Sequence, residues 1–157
     1  MKRDDMTFQE TLQWVEQELK LGRNDTVHDF LAYLAEQMIE LNKAKNEEIK
    51  GFLTWLQREI RTEIDTLTNK TAIKEYHEND FNHLLDVFKK NKNKLTIDPS
   101  NRKTQELFEK YFTKSISVLE PLKEKIKATD KLIDQIVYRL YKLAPEEIAI
   151  VEGYFSD

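Results

Sequence analysis

The sequence predicts an all-α protein, a bundle of about six helices in which one long helix covers residues 26–62. Three observations carry this expectation. The 157 residues include only 3 Gly and 3 Pro, too few turn residues for an all-β or doubly wound fold. Charged residues make up 34% against 39% hydrophobic, the mixture of amphipathic surface helices and not of a disordered tail. Apolar residues also recur at three- and four-residue spacing in most segments. A chain of this length buries a sizeable core and fits a single helical domain over 1–157, with 7–22 as its N-terminal helix.

The first helix starts at Thr7, where Thr7 and Glu10 have capping-box spacing, hydroxyl to an orphan amide and carboxylate back to the cap. Phe8, Leu12, Val15 and Leu19 share one face. Gly22 supplies the stop, since glycine enters the left-handed cap conformation at little cost. A second start lies at Asp25 or Thr26. Phe30, Leu31, Leu34, Met38 and Leu41 form one stripe, and Phe52, Leu53, Leu56 and Ile60 another. Residues 42–48 between them are polar apart from Ala44 but contain no proline, and the lone Gly51 costs only about 1 kcal/mol against Ala in a helix. One long helix projecting past the core is therefore expected in place of two short ones.

LTNKT (67–71) is a polar break, and a short helix around 71–77 follows with Ile73 and Tyr76. Asn79 or Asp80 caps the next helix, whose buried face is Phe81, Leu84, Leu85 and Phe88. Residues 89–103, KKNKNKLTIDPSNRK, read as a loop, with Asp98 and Pro99 as N-cap and first-turn pair of the following helix. Leu107, Phe108, Tyr111, Phe112, Ile116 and Leu119 line that helix up to Pro121, which is expected to kink it or to start a new one. Thr129 is placed to cap a helix bearing Leu132, Ile133, Ile136, Val137 and Leu140. Pro145 starts a last short helix whose acidic first turn suits the helix dipole.

Several function classes are excluded by what the sequence lacks. Without cysteine there is no disulfide framework, thiolate chemistry or zinc–thiolate site. The opening MKRDDMTFQETLQW has no apolar run of signal-peptide length, and no stretch approaches the roughly 20 apolar residues of a membrane span. The chain reads as soluble and cytoplasmic, with no membrane partner. His77, Asp80 and His83 are close in sequence, but the histidines lie six apart, nearly opposite in phase on a helix, and do not make a zinc site with an open position. His28 has no partner at useful spacing. Adjacent carboxylates such as Glu47 with Glu48 and Glu146 with Glu147 point about 100° apart on a helix, whereas hydrolytic pairs converge. No glycine-rich phosphate loop, nucleophile elbow or paired zinc-ligand motif exists. No catalytic residue, metal or cofactor is therefore expected.

The aromatics Trp14, Trp55, Phe108, Tyr111, Phe112, Tyr138 and Tyr141 fall at helical spacing and read as packing. Trp55 lies beside the stripe made by Phe52 and Leu56, which leaves it open to flank the core or to meet a partner.

Charge is the most informative remaining feature. The net charge is −4, yet residues 1–78 hold 11 Lys/Arg against 16 Asp/Glu, giving −5, while residues 82–144 hold 14 against 8, giving +6. Within 89–103, Lys89, Lys90, Lys92, Lys94, Arg102 and Lys103 face Asp98 alone. Lysines alternating with asparagine contact phosphates without reading sequence, the origin of most non-specific nucleic-acid affinity. A solubilising loop between two helices is the competing reading.

Three segments in order, FLAYLAEQMIELNKAKNEEIKGFLTWLQREI (30–60), NKTAIKEYHENDFNHLLDVFKKNK (69–92) and ATDKLIDQIVYRLYKLAPEEIAIVEG (128–153), go beyond a generic helical pattern. Together they resemble the C-terminal helical region of adenine-specific DNA methyltransferases and fused type II restriction–modification enzymes. That family tends to end in TD-x-x-ID-x-x-VY-x-LY-G-L-T-x-E-E-I-x-x-VE. Thr129, Asp130, Ile133, Asp134, Val137, Tyr138, Leu140, Tyr141, Leu143, Glu146, Glu147, Ile148, Val151 and Glu152 occupy matching positions. Lys142 stands where glycine is usual, and Ala144-Pro145 where a capping threonine is common. The likeness covers about residues 26–155. It implies an association with DNA restriction and modification, as a fragment or a stand-alone relative of the tail. The Asn/Asp-Pro-Pro-Tyr/Phe motif, a glycine-rich cofactor loop and an Asp…Glu-x-Lys nuclease core are all missing.

The expected function is thus a non-catalytic accessory domain of a restriction–modification system. It would brace catalytic and target-recognition parts of a protein partner, with the lysine-rich segment touching the DNA backbone weakly. The alternative is a helical interaction or homodimerisation module with no nucleic-acid role, favoured by the net negative charge and the long helix.

Overall fold

The structure, a computed structural model, describes residues 7–155. These form six α-helices linked by short 3-10 turns, and no strand occurs among the described residues. The helices are α1 (Phe8–Lys20), α2 (Asn24–Ile60), α3 (Lys70–Lys74), α4 (Phe81–Lys90), α5 (Arg102–Leu140) and α6 (Pro145–Phe155).

The capping box of α1 is complete. The Glu10 N–H donates to Thr7 Oγ1 at 3.1 Å, and the Thr7 N–H donates to Glu10 Oε2 at 3.3 Å. At the other end Gly22 takes φ +73° and the Arg23 N–H closes back on the Glu18 carbonyl at 2.9 Å. This satisfies carbonyls that the helix end leaves open. Helix α2 then runs unbroken through Gly51, as its sequence predicts.

The described residues gather into two compact units where the sequence predicts one domain. One comprises Met1–Leu41 with Lys125–Asp157, the other Asn42–Glu124. The first unit has a core of Leu12, Val15, Val27, Phe30, Leu34 and Ile136, drawn from α1, the start of α2 and the end of α5. In the second, Phe52, Leu56 and Ile60 of α2 meet Tyr76, Leu84, Phe88, Phe108 and Phe112. The two apolar stripes of α2 are therefore not one buried face and one projection. Each stripe belongs to a separate core, and polar residues 42–48 fall where the second unit begins.

Helix α5 departs from expectation at its start and at Thr129, and of the two outcomes open to Pro121 it does not start a new helix. It continues through Pro121 without a break. A proline inside a helix frees the carbonyl four residues earlier. Here that residue is Ser117, which is exposed along with Pro121, so the freed acceptor lies at the solvent-facing side of the helix. Thr129 lies inside the same helix and caps nothing. The start is also later than Asp98-Pro99. Asn101 is the cap, its Oδ1 accepting from the N–H groups of Lys103 at 2.9 Å and Thr104 at 3.3 Å. Asp98 instead accepts from the Ser100 N–H at 2.9 Å in a local turn, and Pro99 is buried.

At the α5–α6 turn Lys142 adopts φ +53°, the left-handed conformation that favours glycine. The Leu143 N–H reaches the Tyr138 carbonyl at 2.9 Å. Lysine thus preserves the turn at a cost in backbone strain. Pro145 opens α6, and Glu147 Oε1 accepts from the Ala144 N–H at 2.9 Å.

Residues 89–103 are more ordered than a solubilising loop. Lys89 and Lys90 complete α4, Lys92–Lys94 form a 3-10 turn, and Arg102 and Lys103 begin α5. Asn91 is 3% exposed. Its Oδ1 accepts from the Thr68 N–H at 2.8 Å, while its Nδ2 donates to the carbonyls of Thr68 at 3.0 Å and Val87 at 2.8 Å. Thr96 Oγ1 donates to the Ile60 carbonyl at 2.9 Å, and Leu95 and Ile97 pack on the second core. Asn91→Ala removes three hydrogen bonds at a buried position and is expected to destabilise the protein by about 2–3 kcal/mol. Urea unfolding measures this, and a change under about 0.5 kcal/mol, the ordinary surface range, would refute the anchoring role.

Candidate functional site

The lysine-rich segment is presented on this anchored backbone in the second unit. Lys89, Lys90, Lys92, Lys94, Arg102 and Lys103 are all exposed. Two of the six are engaged: Arg102 Nε donates to Glu106 Oε1 at 2.7 Å, and Lys94 Nζ to the Thr66 carbonyl at 3.3 Å. Among the described residues, Lys89, Lys90, Lys92 and Lys103 form no ion pair. A phosphate approaching them displaces water only and breaks no internal salt bridge.

Sequence reasoning missed two cations from a distant segment. Arg58 in the last turn of α2 and Arg61 just beyond it are exposed. Thr62 Oγ1, next along, donates to the Lys94 carbonyl at 3.1 Å. This bond joins the segment leaving α2 to the lysine-bearing 3-10 turn. No local pattern could have shown it, because the partners are 32 residues apart.

Of the two readings open to Trp55, it flanks the core. Its ring lies 4.4 Å from Tyr111 and 5.7 Å from Phe108, centroid to centroid, and 5.8 Å from Phe52. Such aromatic neighbours are worth about 0.5–1.5 kcal/mol beyond area burial, which makes Trp55 a packing residue of the second unit.

A buried polar chain crosses the same unit. Ser115 Oγ donates to Glu48 Oε2 at 2.9 Å and lies 2.7 Å from the Tyr76 hydroxyl. Since the serine proton is committed to the carboxylate, the Tyr76 hydroxyl is the donor in the second bond. Burial pushes the Tyr76 phenol up to about 12, and the Glu48 charge adds to the rise. Beside it, the His77 side chain is 8% exposed, with Nδ1 3.2 Å from Glu78 Oε1 but no aligned hydrogen-bond partner among the described residues. Lys123 Nζ donates to the His77 carbonyl at 2.8 Å and lies 3.4 Å from Glu78 Oε1. Burial, then the Lys123 charge, holds the imidazole below its ordinary 6.5, against a smaller upward pull from Glu78. Asp80 accepts from the His83 N–H at 2.9 Å as the cap of α4. Among the described residues no group of three His, Asp or Glu is placed to hold a metal.

The first unit holds an open cleft of about 630 Å³ between α1, α2 and α5, lined mainly by apolar and aromatic side chains including Phe8, Phe30, Tyr33 and Leu132. Lys125, Gln37 and Thr129 add polar groups. No helix of the described residues is long and apolar enough to cross a membrane.

Two outcomes follow from the polar chain and its neighbour. Ser115→Ala leaves the buried Tyr76 hydroxyl without an acceptor and is expected to cost about 1–3 kcal/mol. Tyr76→Phe keeps the Ser115–Glu48 bond and should cost less, with urea midpoints ranking the two. For His77, a folded-state pKa below 6.5 means that the unfolded chain binds more protons. Its contribution is then complete above 6.5 and declines as pH falls through 6.5 toward the folded-state value. Melting temperature is expected to drop between about pH 7.5 and about pH 5.5, less steeply in His77→Gln. Equal slopes would exclude His77 as the cause.

No curated protein and no solved structure matches the chain. A family model described as "Domain of unknown function (DUF8810)" matches residues 24–137, from the first residue of α2 into the last turns of α5. The match spans most of the chain, including all of the second unit and its anchored basic segment. The chain belongs to the DUF8810 family.

Proposed function

We propose that the chain is a non-catalytic helical accessory domain of a DNA restriction–modification system, bracing the catalytic and target-recognition parts of a partner. In this reading the lysine-bearing side of the second unit touches the DNA backbone. The association with restriction and modification rests on the sequence resemblance. The DNA contact rests on one structural observation: Lys89, Lys90, Lys92 and Lys103 are exposed, without ion pairs, on a backbone pinned by Asn91. Cations held this way release counterions from DNA without losing internal partners, and they read no bases. The net charge of −4 opposes long-range attraction, so affinity for DNA on its own is weak and confined to low salt.

A second reading has its own observation. In α6, Ile150 is 67% and Val151 38% exposed, and Tyr141 just before it is 65% exposed. These residues suit a helical interaction or pairing surface with no nucleic-acid role. Light scattering separates the readings, because a concentration-independent monomer counts against pairing.

Fluorescence anisotropy with duplex DNA tests the first reading directly. Binding is expected at low salt and should weaken steeply as salt rises, by about 0.9 in the log–log slope for each phosphate neutralised. Replacing Lys89, Lys90, Lys92 and Lys103 by Ala should abolish most of it without changing thermal stability. Absence of binding at low salt, or binding indifferent to the four replacements, overturns the DNA contact.

A further inference from the structure

The end of α2 forms a second polar feature beside the lysines. Thr54, Gln57, Arg58, Arg61, Thr62 and Glu63 line a shallow cavity of about 280 Å³. Two arginines and one glutamate are among these lining residues, yet Arg58 and Arg61 form no ion pair among the described residues. Gln57 Oε1 is committed to the Ile64 N–H at 3.0 Å, which leaves the Gln57 amide protons as donors.

The negative pole of a helix C-terminus ordinarily disfavours an anion. Here the last carbonyl of α2, that of Ile60, already accepts from Thr96 Oγ1 at 2.9 Å. The backbone turns out of the helix through Arg61 at φ +51°, a conformation that favours glycine. An arginine therefore sits where a small residue would be less strained, and its side chain lines the cavity. The bond from Thr62 Oγ1 to the Lys94 carbonyl sets this cavity beside the lysine-rich turn.

We propose that this cavity binds a phosphate group, with Arg58 and Arg61 as its ligands and Gln57 as an added donor. The planar, forked guanidinium matches phosphate oxygens in pairs, which a lysine ammonium cannot do. The phosphate would come from a nucleic-acid backbone, in keeping with the proposed function, or from a free phosphate ester. The chemistry is the same and only the source rests on that earlier reading.

The test follows the side-chain Nε–H signals of Arg58 and Arg61 by nuclear magnetic resonance while inorganic phosphate, and separately duplex DNA, is titrated into the full chain. Both ligands are expected to shift both signals saturably. Arg58→Gln with Arg61→Asn, asparagine being tolerant of the left-handed backbone, should abolish the phosphate-induced shift of the Gln57 side-chain amide signals, which the wild-type chain shows in parallel. The pair should also lower the log–log salt slope of DNA binding by about 1.8, two contacts at 0.9 each. Glu63→Gln should tighten phosphate binding by removing the one like charge. Arginine signals unmoved by either ligand overturn the cavity as a site, even if the lysines still bind DNA. Saturable phosphate shifts without any DNA binding sustain the cavity and remove the DNA reading instead.

Discussion

The arrangement of the second unit depends on one buried amide. Asn91 ends α4, bonds back to the Val87 carbonyl, and clasps the backbone of Thr68 from both sides. A side-chain amide suits this position because it carries both a donor and an acceptor, so it can pair with an N–H and a C=O of the same residue. The Thr68 end of the clasp is an otherwise irregular stretch between α2 and α3. Its three bonds fix the residues leaving α2 against the end of α4 from a buried position. The hydroxyls of Thr62 and Thr96 extend the same seam, each reaching backbone of the opposite segment. Fold and candidate site are therefore one feature, since this seam joins the segment that follows Arg58 and Arg61 to the turn that carries Lys92 and Lys94.

Helix positions were readable wherever they rested on local chemistry. The Thr7–Glu10 box, the Gly22 stop, the Asp80 cap and Pro145 at the start of α6 involve partners within a turn or so of each other. Periodicity likewise carried α2 across Gly51. The failures concern competition between two local rules. Pro121 was expected to kink the helix or to start a new one, and no new helix starts there; the carbonyl it frees belongs to exposed Ser117, where access to water lowers the cost that ends helices in buried settings. Asp98-Pro99 has the spacing of a helix start, yet Asn101 sits three residues later with an equally good capping side chain. Burial of Pro99 goes with the later start.

The division into two cores was present in the sequence but not decidable from it. Two apolar stripes separated by polar residues 42–48 describe a helix that leaves its core as well as one that serves two cores. What separates these cases is the partner of the second stripe, and for Phe52 that partner is Tyr76, with ring centroids 4.2 Å apart. The polar interval also acquires a role that its composition conceals. Glu48 accepts from buried Ser115, which in turn accepts from Tyr76. A serine on a helix otherwise lined by Phe112 and Leu119 looks like noise in a hydrophobic stripe. Its hydroxyl accepts a hydrogen bond from the phenol while donating its own proton to a carboxylate.

The same limit governs the candidate site. The six cations of 89–103 could be found because they are close in sequence, whereas Arg58 and Arg61 come from a region whose net charge is negative and whose composition argues against anions. Net charge averages over distances that solvent screens: beyond about 10 Å at ordinary ionic strength exposed charges contribute little. What a phosphate meets is the local set, and there the cations outnumber the acids. In the proposed reading, a domain built in this way would attract DNA feebly from afar but hold a backbone already delivered to it. That combination suits a part tethered to a larger DNA enzyme, where the tether supplies the effective concentration that the net charge withholds. An autonomous binder would need the opposite, a long-range positive field, and this chain does not have one.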